Sequence, residues 1–378
     1  MIPLSIPNLA GNEWKYIKEC LDTNWISSVG SYVDKFEASL VRYTGAKYAV
    51  STVNGTAALH ISLLLAGVEA NDYVIVPNIT FIASLNAVKY CNANPILMDI
   101  KADTWQMDLD LLEDFLGRNT KLSGNKCILK KNKKRIKAIM PVHVLGNITD
   151  MDRLLKIAKK YKLAVVEDAT ESLGTFYKGN HSGTLGLFGC LSFNGNKILT
   201  TGGGGMILTN NQKLAKKAKH LTTQAKSDPF EYLHDEIGYN YRLVNILSAM
   251  GVAQMEQLDD FLKIKKQIAD KYINELSGIK GIGFQKQNPD AVVNNWLFTI
   301  QCKDQKGLMK FLLENNIQVR PFWVPMNKLK MFRNDIYITK EKVSEKVYRS
   351  CVSLPCSTNL RPEQQDIVIH KIKEFYTR

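Results

Sequence analysis

Seven short apolar runs, at 48–53, 73–77, 95–99, 137–143, 163–168, 189–192 and 205–209, constrain what this chain can fold into. Each is too short for a helix, and most are separated by stretches long enough to hold one. A strand with Val, Ile or Leu on successive residues is covered on both faces, so the pattern predicts an α/β fold around a mostly parallel, seven-stranded sheet. In such sheets ligands gather beyond the carboxyl ends of the strands. His143, Asp168 and the residues running through Lys197 all fall at that end.

The chain's 378 residues exceed one ordinary core, and its pattern changes in the second half. Residues 245–276 read as one long helix. Smaller strands are expected at 296–300 and 317–320, with helices at 307–314, 341–349 and 362–376. The expected division is a large α/β domain over 1–250, with an N-terminal helix and a substrate loop, and the long helix with a smaller α+β domain over 251–378. Asn12 is expected to cap the first helix, on which Trp14, Ile17, Cys20 and Leu21 share a face.

Charge and cysteine content narrow the partners. The formal net charge is +14, and much of it is concentrated in Lys126, Lys130, Lys131, Lys133, Lys134, Arg135 and Lys137. That cluster reads as a solvated loop, because no interleaved aromatics or nucleic-acid module accompany it. A diphosphate-bearing substrate suits the same charge, so neither nucleic acid nor membrane is expected as a partner. Seven cysteines without Cys-x-x-Cys spacing read as reduced thiols with no metal framework. No apolar run approaches the ~20 residues of a spanning helix, and the first residues lack a basic head with an apolar core, so a cytoplasmic protein is expected.

Three strand ends carry candidate chemistry. Asn54-Gly55 turns a strand into a helix whose first amides and positive dipole end suit a phosphate. Asp168 places a carboxylate at the lip of a buried strand. Lys197 follows the run ending in Ser192 and precedes four glycines, as a loop crowded against a ligand requires. Singly these read as a turn, a helix cap and a solvated lysine. Jointly they are what pyridoxal phosphate (PLP) needs: a phosphate seat at Gly55-Thr56-Ala57, an acid beside the pyridine nitrogen, and an amine for a Schiff base.

The segments 54–60, 141–146, 167–174, 192–202 and 238–242 recur in order over essentially the whole chain as in the DegT/DnrJ/EryC1/StrS sugar aminotransferases, which the sequence resembles. The resemblance implies a fold-type I PLP aminotransferase. It implies that Gly55, Thr56, Ala57 and Ser192 hold the cofactor phosphate, Phe81 stacks on the ring and Asp168 pairs with its nitrogen. Glu171 would lie near the ring hydroxyl, and Lys197 would bond covalently to the cofactor. Asn240 would reach the phosphate of the neighbouring subunit, so a homodimer is implied. Trp25, His143, Arg242 and Arg320 are candidates for substrate contact.

Three positions depart from the family pattern: Asn194-Gly195 where many members have His-Pro, Gly203 where many have Glu, and Glu171 where others carry Gln. The Asn-Gly-Asn-Lys form, with 14–37 and 320–326, most resembles the legionaminic-acid and bacillosamine pathway enzymes. The resemblance thus implies transfer of the amino group of L-glutamate to the C4 ketone of a nucleotide-linked 4-keto-6-deoxy-N-acetylhexosamine. Alternatives are a 3-aminotransferase, a perosamine-type synthase on another nucleotide sugar, or a non-catalytic regulatory or nucleic-acid-binding protein of the same fold. A PLP sugar dehydratase is disfavoured, since that branch replaces the lysine by histidine.

Overall fold

In the computed structural model, which describes residues 1–228 and 230–377, all seven apolar runs are strands of one sheet. They are β1 (Tyr48–Thr52), β2 (Tyr73–Pro77), β3 (Asn94–Met98), β4 (Arg135–Ile139), β5 (Ala164–Asp168), β6 (Phe188–Ser192) and β7 (Gly205–Thr209). Their spatial order is β1-β7-β6-β5-β4-β2-β3, and β7 alone runs against its neighbours. The strands are apolar on consecutive residues because both faces are covered. In β2, Val74 and Val76 enter the apolar cluster on one face while Ile75 enters the cluster on the other.

The sheet is wider than expected, with ten strands. A three-residue strand, β8 (Ile336–Ile338), returns from the second half of the chain to pair in parallel with β3. A hairpin of Thr120–Ser123 and Lys126–Leu129 pairs with the start of β4. That hairpin corrects part of the reading of the basic segment as a solvated loop: Lys130, Lys131 and Lys133 do lie in an exposed turn, but Lys126, Arg135 and Lys137 are in strands. Cys127 and Leu129 point inward while Lys126 is exposed, the period of two that a half-buried strand produces. Arg135 is already in β4 and pairs with Asp72.

The expected long helix breaks at Glu256–Gln257 into Asn245–Met255 and Leu258–Leu276, where Gln254 and Gln257 both donate to buried Glu13. Beyond it, Ile282–Phe284, Thr299–Cys302, Cys351–Ser353 and Arg320–Pro321 form a four-stranded antiparallel sheet in that order. The strand expected at 317–320 shrinks to two residues because Ile317 pairs with Ile2 instead. Asn12 stands at the head of the helix Glu13–Asp22 without capping it; its side-chain amide donates to Glu256. On that helix Cys20 is buried but Trp14 is 75% exposed, so the predicted apolar face is not a core face. Among the described residues no helix is long and apolar enough to cross a membrane.

Candidate active site

A cavity of about 330 Å³ opens at the carboxyl ends of the central strands, and its floor is built by close backbone approach. Asn54 caps the helix Gly55–Leu65 by accepting the Ala57 N–H at 2.8 Å, which leaves Gly55 and Thr56 lining the cavity at the helix N-terminus. A side chain on Gly55 would bring its Cβ to 2.9 Å from Ser192 Cβ and 3.1 Å from Thr170 Cγ2. Only glycine lets those three elements meet. The last glycine of the run acts likewise, since a Cβ on Gly205 would lie 2.5 Å from the Asn54 carbonyl. The glycines after Lys197 therefore let β7 pass against the turn that forms the anion seat.

Asp168, at the end of β5, is buried and lines the same cavity. Ser84 Oγ donates to its Oδ2 at 2.6 Å and the Thr170 N–H to its Oδ1 at 3.2 Å. The carboxylate is held from two sides while facing the cavity. The cap reading of Asp168 is thus half right: it does bond to a following amide, and it also faces the site. Ser84 sits in the first turn of the helix Ala83–Tyr90, and no role for it was legible in the sequence.

Lys197 lies on the loop beyond β6, with its N–H bonded to Asn194 O and the loop's far side held by the Thr200 N–H to Gln254 Oε1. Burial makes its amine less basic than an ordinary lysine, while Glu171 and then Asp168 pull the other way. Glu171 shows the complementary effect. Burial pushes its carboxyl up to about 7, Asp168 adds to the rise, and Lys197 and the Leu145 N–H at 2.8 Å oppose it. Two acids and one amine thus line the same small cavity.

Phe81 is 56% exposed at the cavity mouth, and Arg320 lines the cavity from the small sheet. His143 does not reach it. Its ring is fully buried, with Nε2 2.9 Å from Glu167 Oε2, and only its backbone N–H touches Asp168, at the carbonyl. The expectation of substrate contact by His143 is corrected on that ground: a strand-end residue chooses one face, and this ring lies with Glu167. Arg242, nearly buried, pairs with Glu37 at 3.2 Å, and Trp25 and Asn240 are exposed; all three lie outside this cavity's lining. Trp296 and Trp323 line it instead, Trp296 from a segment that carried no motif and Trp323 from the segment 320–326.

With this geometry in view, comparison with known proteins is direct. The model of the DegT/DnrJ/EryC1/StrS aminotransferase family matches residues 7–373. The chain belongs to this family. It is 37% identical to GDP-perosamine synthase of Escherichia coli O157:H7, over 100% of this chain and 99% of that one. It is 36% identical to GDP-perosamine synthase of Caulobacter vibrioides, over 97% and 96%. A DegT DnrJ EryC1 StrS aminotransferase crystal structure from Brucella abortus superposes with a TM-score of 0.90 at 25% identity, covering 97% of this chain and 96% of its own.

This DegT-family chain is accordingly a PLP-dependent nucleotide-sugar aminotransferase of fold-type I. Its residues fit the cofactor on structural grounds. The cradle above Gly55 would be filled by any side chain, the helix amides beside it suit a phosphate, and an acid and a less basic amine line the same cavity.

Proposed function

We propose that this enzyme moves the amino group of L-glutamate to the C4 ketone of a nucleotide-linked 4-keto-6-deoxy sugar, with Lys197 as its catalytic residue. When bound, PLP supplies an electron sink for the carbon that gives up a proton. Lys197 Nζ would hold the cofactor covalently and, once the amine of glutamate has displaced it, would move the proton off the donor carbon and later onto the sugar carbon. Asp168 keeps the ring nitrogen protonated. Gly55, Thr56 and Ser192 would hold the phosphate, Phe81 would cover the ring face and Glu171 would stand by the ring hydroxyl, whereas the Ala57 N–H expected at the phosphate is taken by Asn54 and Ala57 does not line the cavity. Arg320 offers a planar cation to a carboxylate or a diphosphate. The observation that carries this reading is that Lys197 and Asp168 line one cavity whose floor is an anion seat.

Two full-length relatives bear the name GDP-perosamine synthase, which favours a GDP-linked ketosugar as acceptor. The acetylated hexosamine of a legionaminic-type pathway is the second reading, resting on 14–37 and 320–326. Trp25, Asn240 and Arg242 lie outside the cavity of their own chain, and Trp14, Ile26 and Val29 are exposed apolar residues on the same N-terminal segment. We read this surface as covered by a second copy in a cytoplasmic homodimer, with Asn240 serving the partner's phosphate seat. The test is incubation with glutamate and a panel of GDP-, UDP- and dTDP-linked 4- and 3-ketosugars, with the product identified by mass and NMR. Amination of a GDP-linked 4-ketosugar is expected. Product from 3-ketosugars alone would overturn the regiochemistry.

A further inference from the structure

Lys197 Nζ stands 3.8 Å from the centroid of the Trp296 ring, well inside the range of a cation–π contact. The ring is fixed from several directions. Its Nε1–H donates to Asn196 O at 2.7 Å, directly before Lys197, and its backbone N–H donates to Asn294 Oδ1 at 2.9 Å. Its carbonyl accepts from the buried Lys265 amine at 2.8 Å, and Trp323 stacks beside it at 6.4 Å and 17°. An indole this constrained is built to present one face at one place.

A lysine that serves as covalent anchor and proton carrier must let go of its partner, wait and return. While it waits it carries a proton inside a buried cavity, where an unpartnered ammonium is costly. The charged groups facing it are Glu171 and Asp168, and Arg320 lines the same space. A full ion pair with either acid would hold the amine too firmly and withdraw that acid from other work. An aromatic face stabilises the cation without accepting its proton. We propose that Trp296 is the resting place of the Lys197 amine once it has taken the donor proton, holding it as a cation beside the reacting atoms until it gives that proton up. This rests on the role of Lys197 given above and adds a residue that no motif marks.

The test uses the enzyme converted by glutamate to its pyridoxamine phosphate form, in which the lysine amine is free. Trace acetic anhydride labelling over a series of pH values, read on the Lys197 peptide by mass spectrometry, titrates that one amine. Trp296→Leu should lower its half-titration point by about one pH unit, while Trp296→Phe, which keeps a π face, should move it less than half as far. In stopped-flow, the glutamate half-reaction should slow about tenfold or more in the Leu variant, with the Phe variant between it and wild type. A Lys197 titration unchanged in Trp296→Leu, or displaced equally in the Phe and Leu variants, would overturn the proposal. A wild-type enzyme whose yellow colour glutamate fails to bleach would instead sink the transamination reading itself.

Discussion

Two lysines contact Trp296, and their difference separates a structural amine from a chemical one. Lys197 faces the ring and the cavity; Lys265, in the helix Leu258–Leu276, donates to the carbonyls of Trp296 and Cys356. Burial makes both less basic. Lys265 donates to two backbone oxygens and does not line the active-site cavity. Lys197 keeps its donors free beside two carboxylates. Burial alone therefore does not mark a catalytic lysine; uncommitted hydrogen-bond capacity in an accessible cavity does.

The largest test of that contrast is a matched pair of substitutions. Lys197→Ala should reduce turnover by about 10⁴-fold or more, whereas Lys265→Met should stay within roughly tenfold of wild type, both read as steady-state amination of sugar. Comparable losses in the two variants would erase the distinction. Next in size, Asp168→Asn should lower turnover by on the order of 10²-fold, because an amide no longer favours a protonated ring nitrogen. Ser84→Ala, which only frees one carboxylate oxygen, should cost about tenfold or less. A Ser84 effect exceeding that of Asp168 would contradict the hierarchy.

Two smaller effects sharpen the electrostatics. Because the folded-state affinity of Glu171 for its proton is raised, its contribution to stability is full below the ordinary carboxylate range and is lost as pH rises toward about 7. Cofactor-free wild type should therefore lose melting temperature between about pH 4.5 and 7 relative to Glu171→Gln, and parallel curves would show that the carboxyl does not titrate there. Lys265→Met leaves the Trp296 and Cys356 carbonyls without their donor, at a cost of about 1–3 kcal/mol in chemical denaturation. Unchanged stability would mean that relief of the buried cation offsets the lost bonds.

The seven central strands were legible because Val, Ile and Leu on consecutive residues have few other uses in a soluble chain. Lys197, Asp168 and Gly55 were legible because strand ends in such sheets point to one edge. Direction was less so. Asp168 ends β5, whereas His143 lies beyond the end of β4, and its ring packs against Glu167, whose side chain points to the face opposite that of Asp168. The hairpin at 120–129 was hidden by its lysines, whose density obscured the alternation that Cys127 and Leu129 carry. β8 is three residues long and owes its place to pairing with β3, a partner some 240 residues away. Trp296 was silent for a related reason: its bond to Asn196 joins residues 100 apart, and no local pattern records such a meeting. The finer choice of sugar also lay beyond the motifs.

The central claim is that the cofactor is bonded to the amine at 197 and not to its buried neighbour. Borohydride reduction of the holoenzyme, followed by proteolysis and peptide mass spectrometry, fixes the cofactor wherever its Schiff base stood. The account predicts one phosphopyridoxyl adduct, on the peptide that carries Lys197, with the Lys265 peptide unmodified. An adduct on Lys265, or on any lysine outside the cavity, would contradict it.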